Sequence, residues 1–118
     1  MSALVERLRK AREQAVSVGD WKFTFRRPTD YEAAKIYQEG QTKFDVARKY
    51  VVGWKGVRER DLFPSDGGDQ PVAFDRELWG DWLQDQPDLW DPIFEAIVGA
   101  YQKHRGLGEE EEKNSEPG

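Results

Sequence analysis

The spacing of apolar residues changes between helical and strand-like periods in the first quarter of the chain. Apolar positions at helical spacing predict an amphipathic helix over residues 3–14, with Leu4 and Leu8 on one face. Apolar and polar residues then alternate on both sides of a Gly-Asp pair, which predicts a β-hairpin near residues 15–27. Because a lone hairpin is marginally stable in water, we expect its aromatic face to pack on helices.

Capping signals predict two helices after the hairpin. Thr29 opens a T-x-x-E sequence typical of a capping box, and Gly40 provides a place for that helix to end. The next helix is predicted to begin near Thr42. Apolar residues at helical spacing then extend the prediction through Val51 and Trp54.

The second half of the chain predicts a loop, two more helices and a tail. Residues 63–73 are rich in Gly, Pro and Asp, as loops are. A helix capped by Asp75 is expected to end at Pro87, and the last helix is expected to end at Gly106. The tail, residues 106–118, has no periodicity and repels itself through its glutamates, so we expect it to be disordered.

These elements predict a mainly α fold of the α+β class, with about five helices packed on one N-terminal hairpin. With 118 residues, the chain is expected to form a single domain over residues 1–105, followed by the acidic tail. Only 37% of residues are hydrophobic, but aromatic residues make up 13% and each can bury a large area. The absence of cysteine and of any long apolar run predicts a protein of the host cytoplasm that is not bound to a membrane.

Charge is distributed unevenly along the chain. Residues 1–60 carry 14 Lys/Arg and 8 Asp/Glu, residues 61–105 carry 3 and 10, and residues 106–118 carry 1 and 5. Opposite halves of this kind can meet in a homo-oligomer or bind different partners, although both halves could equally be solvated surfaces. The isoelectric point near 5.0 argues against a nucleic-acid partner.

The residue types of catalysis are sparse. His104 is the one histidine, and it stands in a basic helical turn without a nearby nucleophile in the sequence. Glu77, Asp81 and Asp85 are spaced to share one helix face, which suits a solvated surface or a docking strip for a basic partner better than acid–base catalysis. No pattern indicates a metal or cofactor site. We therefore predict a protein that is not an enzyme and uses no cofactor.

The tryptophans are expected to be mostly core, with one or two partly exposed, because indole rings also dominate protein-binding sites. Basic residues at the end of the hairpin are candidates for meeting the acidic half of a neighbouring molecule. The predicted protein-binding residues are Trp54, Trp79, Trp82, Trp90, Glu77, Asp81, Asp85, Arg26 and Arg27.

Four motifs in order resemble the tail assembly chaperones of long-tailed bacteriophages. They are F-R-R-P-T-D-Y-E-A-A, V-V-G-W-K-G-V, P-V-A-F-D-R-E-L-W-G-D-W-L and the terminal K-N-S-E-P-G, and the resemblance covers residues 15–118. It implies a non-enzymatic protein of a phage or prophage that acts in viral morphogenesis. Such a chaperone binds the tail tape measure protein, keeps it soluble, and helps recruit tail tube protein, and it is absent from the finished virion.

The same resemblance implies a longer form made by programmed frameshifting, and Lys113-Asn114 could be encoded by a slippery run. Two other functions are compatible with the sequence. One is a structural head–tail joining protein of the virion, and the other is a small acidic regulator or inhibitor of a basic protein.

Overall fold

The computed structural model describes residues 2–115, and the side chains of residues 2–106 within them. Six helices and a three-stranded antiparallel sheet make up this part of the chain, which confirms the mainly helical α+β class. The elements in chain order are α1 (Ala3–Ala11), β1 (Glu13–Val18), β2 (Trp21–Arg26), α2 (Asp30–Glu39), α3 (Lys43–Tyr50), β3 (Val51–Lys55), α4 (Glu59–Leu62), α5 (Arg76–Gln84) and α6 (Pro87–Ser115).

The predicted hairpin is confirmed. Strands β1 and β2 pair in the antiparallel sense with Val18 opposite Trp21, and Gly19 takes the positive φ of 59° that the tight turn requires. The turn therefore lies where the Gly-Asp pair indicates.

The predicted extension of α3 through Val51 and Trp54 is wrong. The helix ends at Tyr50, and the chain continues at once as β3, which pairs with β2 and places Val51 opposite Phe25. A β-branched residue suits this extended position, and the open edge of β2 supplies the hydrogen-bonding partner. That edge is distant in sequence, so local spacing does not reveal it.

Side-chain caps define the helix starts as the sequence predicts. Thr29 and Thr42 each form a complete capping box, and the Asp75 carboxylate accepts a hydrogen bond of 2.9 Å from the backbone N–H of Leu78. Gly40 ends α2 in the left-handed conformation.

One hydrophobic core lies between the sheet and helices α3, α5 and α6. Phe23 and Phe25 of β2 are buried in it together with residues of α3, and Trp79 and Leu83 of α5 are among its fully covered side chains. Helix α6 adds Leu89, Ile93, Ile97 and Ala100 to the buried residues.

The backbone of α6 remains helical to Ser115, so the helix does not end at Gly106 as expected. Gly106 lacks the positive φ that would stop a helix there. The division into a 1–105 domain and a disordered tail stays a prediction, and residues 116–118 lie outside the described residues. No helix in the described part of the chain is long and apolar enough to cross a lipid bilayer.

Candidate protein-binding site

Four of the five tryptophans form an aromatic cluster in and beside the core. The Trp82 ring packs edge-on against three other indoles, with centroid distances of 5.1 Å to Trp21, 5.8 Å to Trp54 and 6.1 Å to Trp79. Trp79 is fully buried and Trp82 nearly so, while Trp54 is half-buried. Edge-to-face contacts of this kind add to the free energy of burial, so the cluster is first a structural feature.

Three indole nitrogens are bonded inside the molecule. Each donates to a backbone carbonyl, with Trp54 reaching Val72 at 2.7 Å, Trp79 reaching Ala47 at 3.3 Å and Trp90 reaching Leu83 at 2.8 Å. The Trp82 N–H is buried without a hydrogen-bond partner in the described residues. Binding by the half-buried Trp54 and Trp90 would therefore use the exposed parts of their rings, because both N–H groups are already bonded.

The predicted acidic strip does not share a surface with the buried tryptophans. Glu77, Asp81 and Asp85 are exposed, whereas Trp79 and Trp82 of the same helix point into the core. Asp85 lies just beyond the end of α5 as its C-cap. The carboxylates thus form a solvated face, and their role in binding stays a prediction.

Trp90 is half-buried and borders an open hollow of about 450 Å³. Its ring packs edge-on against Phe44 at a centroid distance of 5.5 Å, and Thr42 and Gln84 complete the lining. Trp90 is therefore a predicted binding residue whose ring faces a concave surface with apolar walls.

Arg26 and Arg27 lie at the end of β2 and have internal contacts. The Arg26 guanidinium is 3.4 Å from the Glu13 carboxylate across the hairpin, and Arg27 donates to the carbonyl of Pro28 at 3.2 Å. Both side chains also line a basic cleft. They remain partly accessible, so their predicted meeting with a neighbouring molecule stays a prediction.

Helix α1 carries an exposed apolar face that the sequence did not predict as a binding surface. None of its residues is buried, and Leu4 and Leu8 are 69% and 59% exposed, with Val5 beside them. The sequence predicts the amphipathic helix correctly. The absence of a core partner for its apolar stripe is a tertiary property, which periodicity cannot show.

The chemistry around α1 is basic. The helix carries Arg7, Arg9 and Lys10 against the single acid Glu6, and Arg12 follows at its C-cap. Apolar anchors within a charged rim are typical of protein-binding surfaces. The face therefore suits an apolar helical segment flanked by acidic residues.

The pKa shifts of Tyr101 and Lys43 arise from burial and from neighbouring carboxylates. Burial, followed by a hydrogen bond to Asp30, raises the pKa of Tyr101, and an ion pair with Asp91 raises that of Lys43. His104 is 3.6 Å from the Asp30 carboxylate. The described residues contain no group of three or more His, Asp or Glu side chains arranged to hold a metal ion.

Comparisons with protein-family models, with curated proteins and with solved structures find no match to this chain.

Proposed function

We propose that the protein is a non-enzymatic phage tail assembly chaperone that binds the tape measure protein and helps recruit tail tube subunits. The observation that supports this best is the exposure of Leu4, Val5 and Leu8 on α1. A partner that packs on this helix would bury all three side chains. Exposed apolar side chains grouped on one helix face are typical of a surface that another polypeptide covers.

The energy available on α1 suits a weak, repeated contact. Full burial of one such aliphatic side chain stabilises a complex by about 1.5–3 kcal/mol, and association costs at least about 4 kcal/mol in lost freedom of motion. Three anchors therefore support weak binding by a single copy. Many copies along one long client gain strength through avidity, which is what coating a tape measure protein requires.

The acidic face of α5 supplies a second, separate surface in this proposal. Glu77 and Asp81 are exposed on α5, and Asp85 caps its end. A basic surface of a tail tube subunit or of a neighbouring chaperone would meet this face while α1 holds the client. The hollow beside Trp90 and Phe44 adds apolar area for the same recruitment step.

Co-expression with a tape measure protein tests the proposal. The wild-type chain is expected to keep that protein in the soluble fraction and to co-purify with it. The double variant Leu4→Glu/Leu8→Glu is expected to lose both effects, because two charges then occupy the apolar face. The control Gln38→Glu/Gln102→Glu adds the same charge at exposed positions on α2 and α6 and should behave like wild type.

Two results would contradict the proposal. One is a tape measure protein that stays insoluble with the wild-type chain or is rescued equally well by the α1 double variant. The other is detection of the protein in stoichiometric amount in purified particles, since an assembly chaperone leaves the finished virion.

A further inference from the structure

A cleft of about 200 Å³ collects basic side chains from separate parts of the fold. Arg9 and Arg12 come from α1 and its C-cap, Lys49 comes from α3, and Arg76 comes from the first turn of α5. The full lining is Arg9, Arg12, Arg26, Arg27, Glu32, Lys49, Tyr50, Val52 and Arg76. Residues far apart in sequence thus place their positive charges around one small volume.

Positive charge predominates among the residues that line this cleft. Six cationic side chains line it and Glu32 is the one acidic group among the lining residues. Outside the lining, Glu13 pairs with Arg26 at 3.4 Å. The Glu32 carboxylate is already engaged as an acceptor for the Thr29 backbone N–H in the capping box. Like charges that line one small cleft repel one another, so an anion between them would stabilise the arrangement.

Tyr50 adds an unsatisfied donor to the same lining. Its side chain is 4% exposed, and its hydroxyl is buried without a hydrogen-bond partner in the described residues. Burial and then the nearby Glu32 carboxylate raise the pKa of Tyr50, but the hydroxyl and the carboxylate do not meet hydrogen-bond geometry. Leaving a buried donor unpaired costs free energy, and a ligand oxygen would remove that cost.

We propose that this cleft binds the phosphate or pyrophosphate group of a small ligand. Guanidinium groups recognise phosphate oxygens through two parallel hydrogen bonds. A doubly charged phosphate also neutralises more of the positive charge in the cleft than a single carboxylate does. The volume of about 200 Å³ admits a group of this size. This inference is independent of the proposed chaperone function.

The surroundings favour a small ligand over a nucleic-acid strand. An adjoining cleft of about 480 Å³ shares Lys49 and Arg76 with the first and adds Arg48, but it also contains Glu39 and Asp45. Those carboxylates would repel the next phosphates of a strand. The organic part of a phosphate ester could instead extend there toward Gln41, which also lines this cleft.

Binding would also hold α1 against the domain. Because Arg9 and Arg12 contribute to the lining while no residue of α1 is buried, a shared anion would link this helix to Arg27 and Lys49. Pyrophosphate is therefore expected to slow proteolysis at Arg9 and Lys10 in the full-length protein.

Calorimetric titration of the full-length protein at constant ionic strength tests the proposal. Pyrophosphate and ADP are the probes, and a glutamate-rich peptide and a single-stranded oligonucleotide are the competing ligand classes. Loss of one hydrogen bond to a charged group weakens affinity by about tenfold to a hundredfold, which we expect for Arg12→Ala. Tyr50→Phe keeps the ring and should weaken binding by about threefold to tenfold.

Arg60→Ala is the matched control, because it removes one positive charge from an exposed pair with Asp69 outside the cleft. Circular dichroism verifies that each variant is folded. Binding of pyrophosphate alone indicates a free phosphate ligand, and tighter binding of ADP indicates a phosphate ester. The proposal is overturned if neither probe binds, if Tyr50→Phe and Arg12→Ala bind like Arg60→Ala, or if the peptide or the oligonucleotide binds more tightly than both probes.

Discussion

The indole nitrogens of the core tryptophans differ in what they contact, and this difference has consequences for stability. Trp79 donates to the carbonyl of Ala47 at 3.3 Å, whereas the neighbouring Trp82 N–H is buried without an acceptor. The two rings lie 6.1 Å apart in the same aromatic cluster. Buried donors without partners cost free energy, so Trp82 contributes packing at a polar penalty that Trp79 avoids.

We expect Trp79→Phe to destabilise the protein more than Trp82→Phe. Both changes remove the same volume, but only the first loses a hydrogen bond, while the second removes an unsatisfied N–H. The difference in the free energy of unfolding should be about 1–2 kcal/mol. Urea denaturation of the two variants measures it. If the two variants lose equal free energy of unfolding, or Trp82→Phe loses more, the Trp79 hydrogen bond does not account for the difference between the two positions.

Tyr50 makes stability depend on alkaline pH. Its ordinary pKa of 10.0 is raised in the folded state, chiefly by burial. Above pH 10 the unfolded chain loses this proton while the folded protein still holds it, so the stability from the neutral phenol is lost as pH rises toward the folded pKa. The free energy of unfolding should therefore fall more steeply above pH 10 in wild type than in Tyr50→Phe. Parallel pH profiles would contradict the assignment.

The individual elements show which features of the fold follow from local sequence. The capping boxes at Thr29 and Thr42 and the hairpin turn at Gly19 are formed by neighbouring residues, and all three are predicted correctly. Strand β3 is different, because Val51 is extended through pairing with β2. Its short apolar run fits a helix or a strand, and only the distant partner decides between them.

Helix α1 shows the same limit for the candidate site. Its period predicts an amphipathic helix, and an apolar stripe in a small protein is normally part of the core. Of the tryptophans predicted for binding, Trp79 and Trp82 are buried in the core, whereas Trp54 and Trp90 are half-buried. Sequence identifies which side chains are apolar, but burial depends on which elements pack together.

A pair of leucine substitutions tests the exposure of α1. Leu8→Ala should change the free energy of unfolding by less than about 0.5 kcal/mol, since its side chain is largely in solvent. Leu83→Ala should cost about 2–5 kcal/mol, because that residue is fully buried in the core. Thermal or urea denaturation compares them. A loss at Leu8 approaching that at Leu83 would mean that α1 packs on the domain.

At the scale of the whole molecule, basic residues from both halves of the sequence meet in one cleft. Arginine and lysine side chains of α1, β2 and α3 line it together with Arg76 of α5, whereas Glu77 and Asp81 of α5 are exposed to solvent. The uneven distribution of charge along the chain is visible in the sequence. The concentration of positive charge in a cleft beside Tyr50 is not, because the six elements that contribute lining residues meet only in the folded chain.

This distribution predicts salt-sensitive self-association. Any oligomer that joins the Arg26–Arg27 region of one molecule to the acidic face of the next should form at low ionic strength and dissociate in about 1 M salt, where the screening length is about 3 Å. Analytical ultracentrifugation across a salt series measures this. An oligomer that persists unchanged in high salt would rule out charge pairing as its cause.

The most direct test of the central claim is amide hydrogen exchange of the protein alone and in complex with the tape measure protein. In the isolated chain, the amides of α1 should exchange much faster than those of α5, because no α1 residue is buried. In the complex, residues 3–11 should become protected. A complex that forms with α1 still exchanging as fast as in the isolated chain would contradict the assignment of this helix as the client-binding surface.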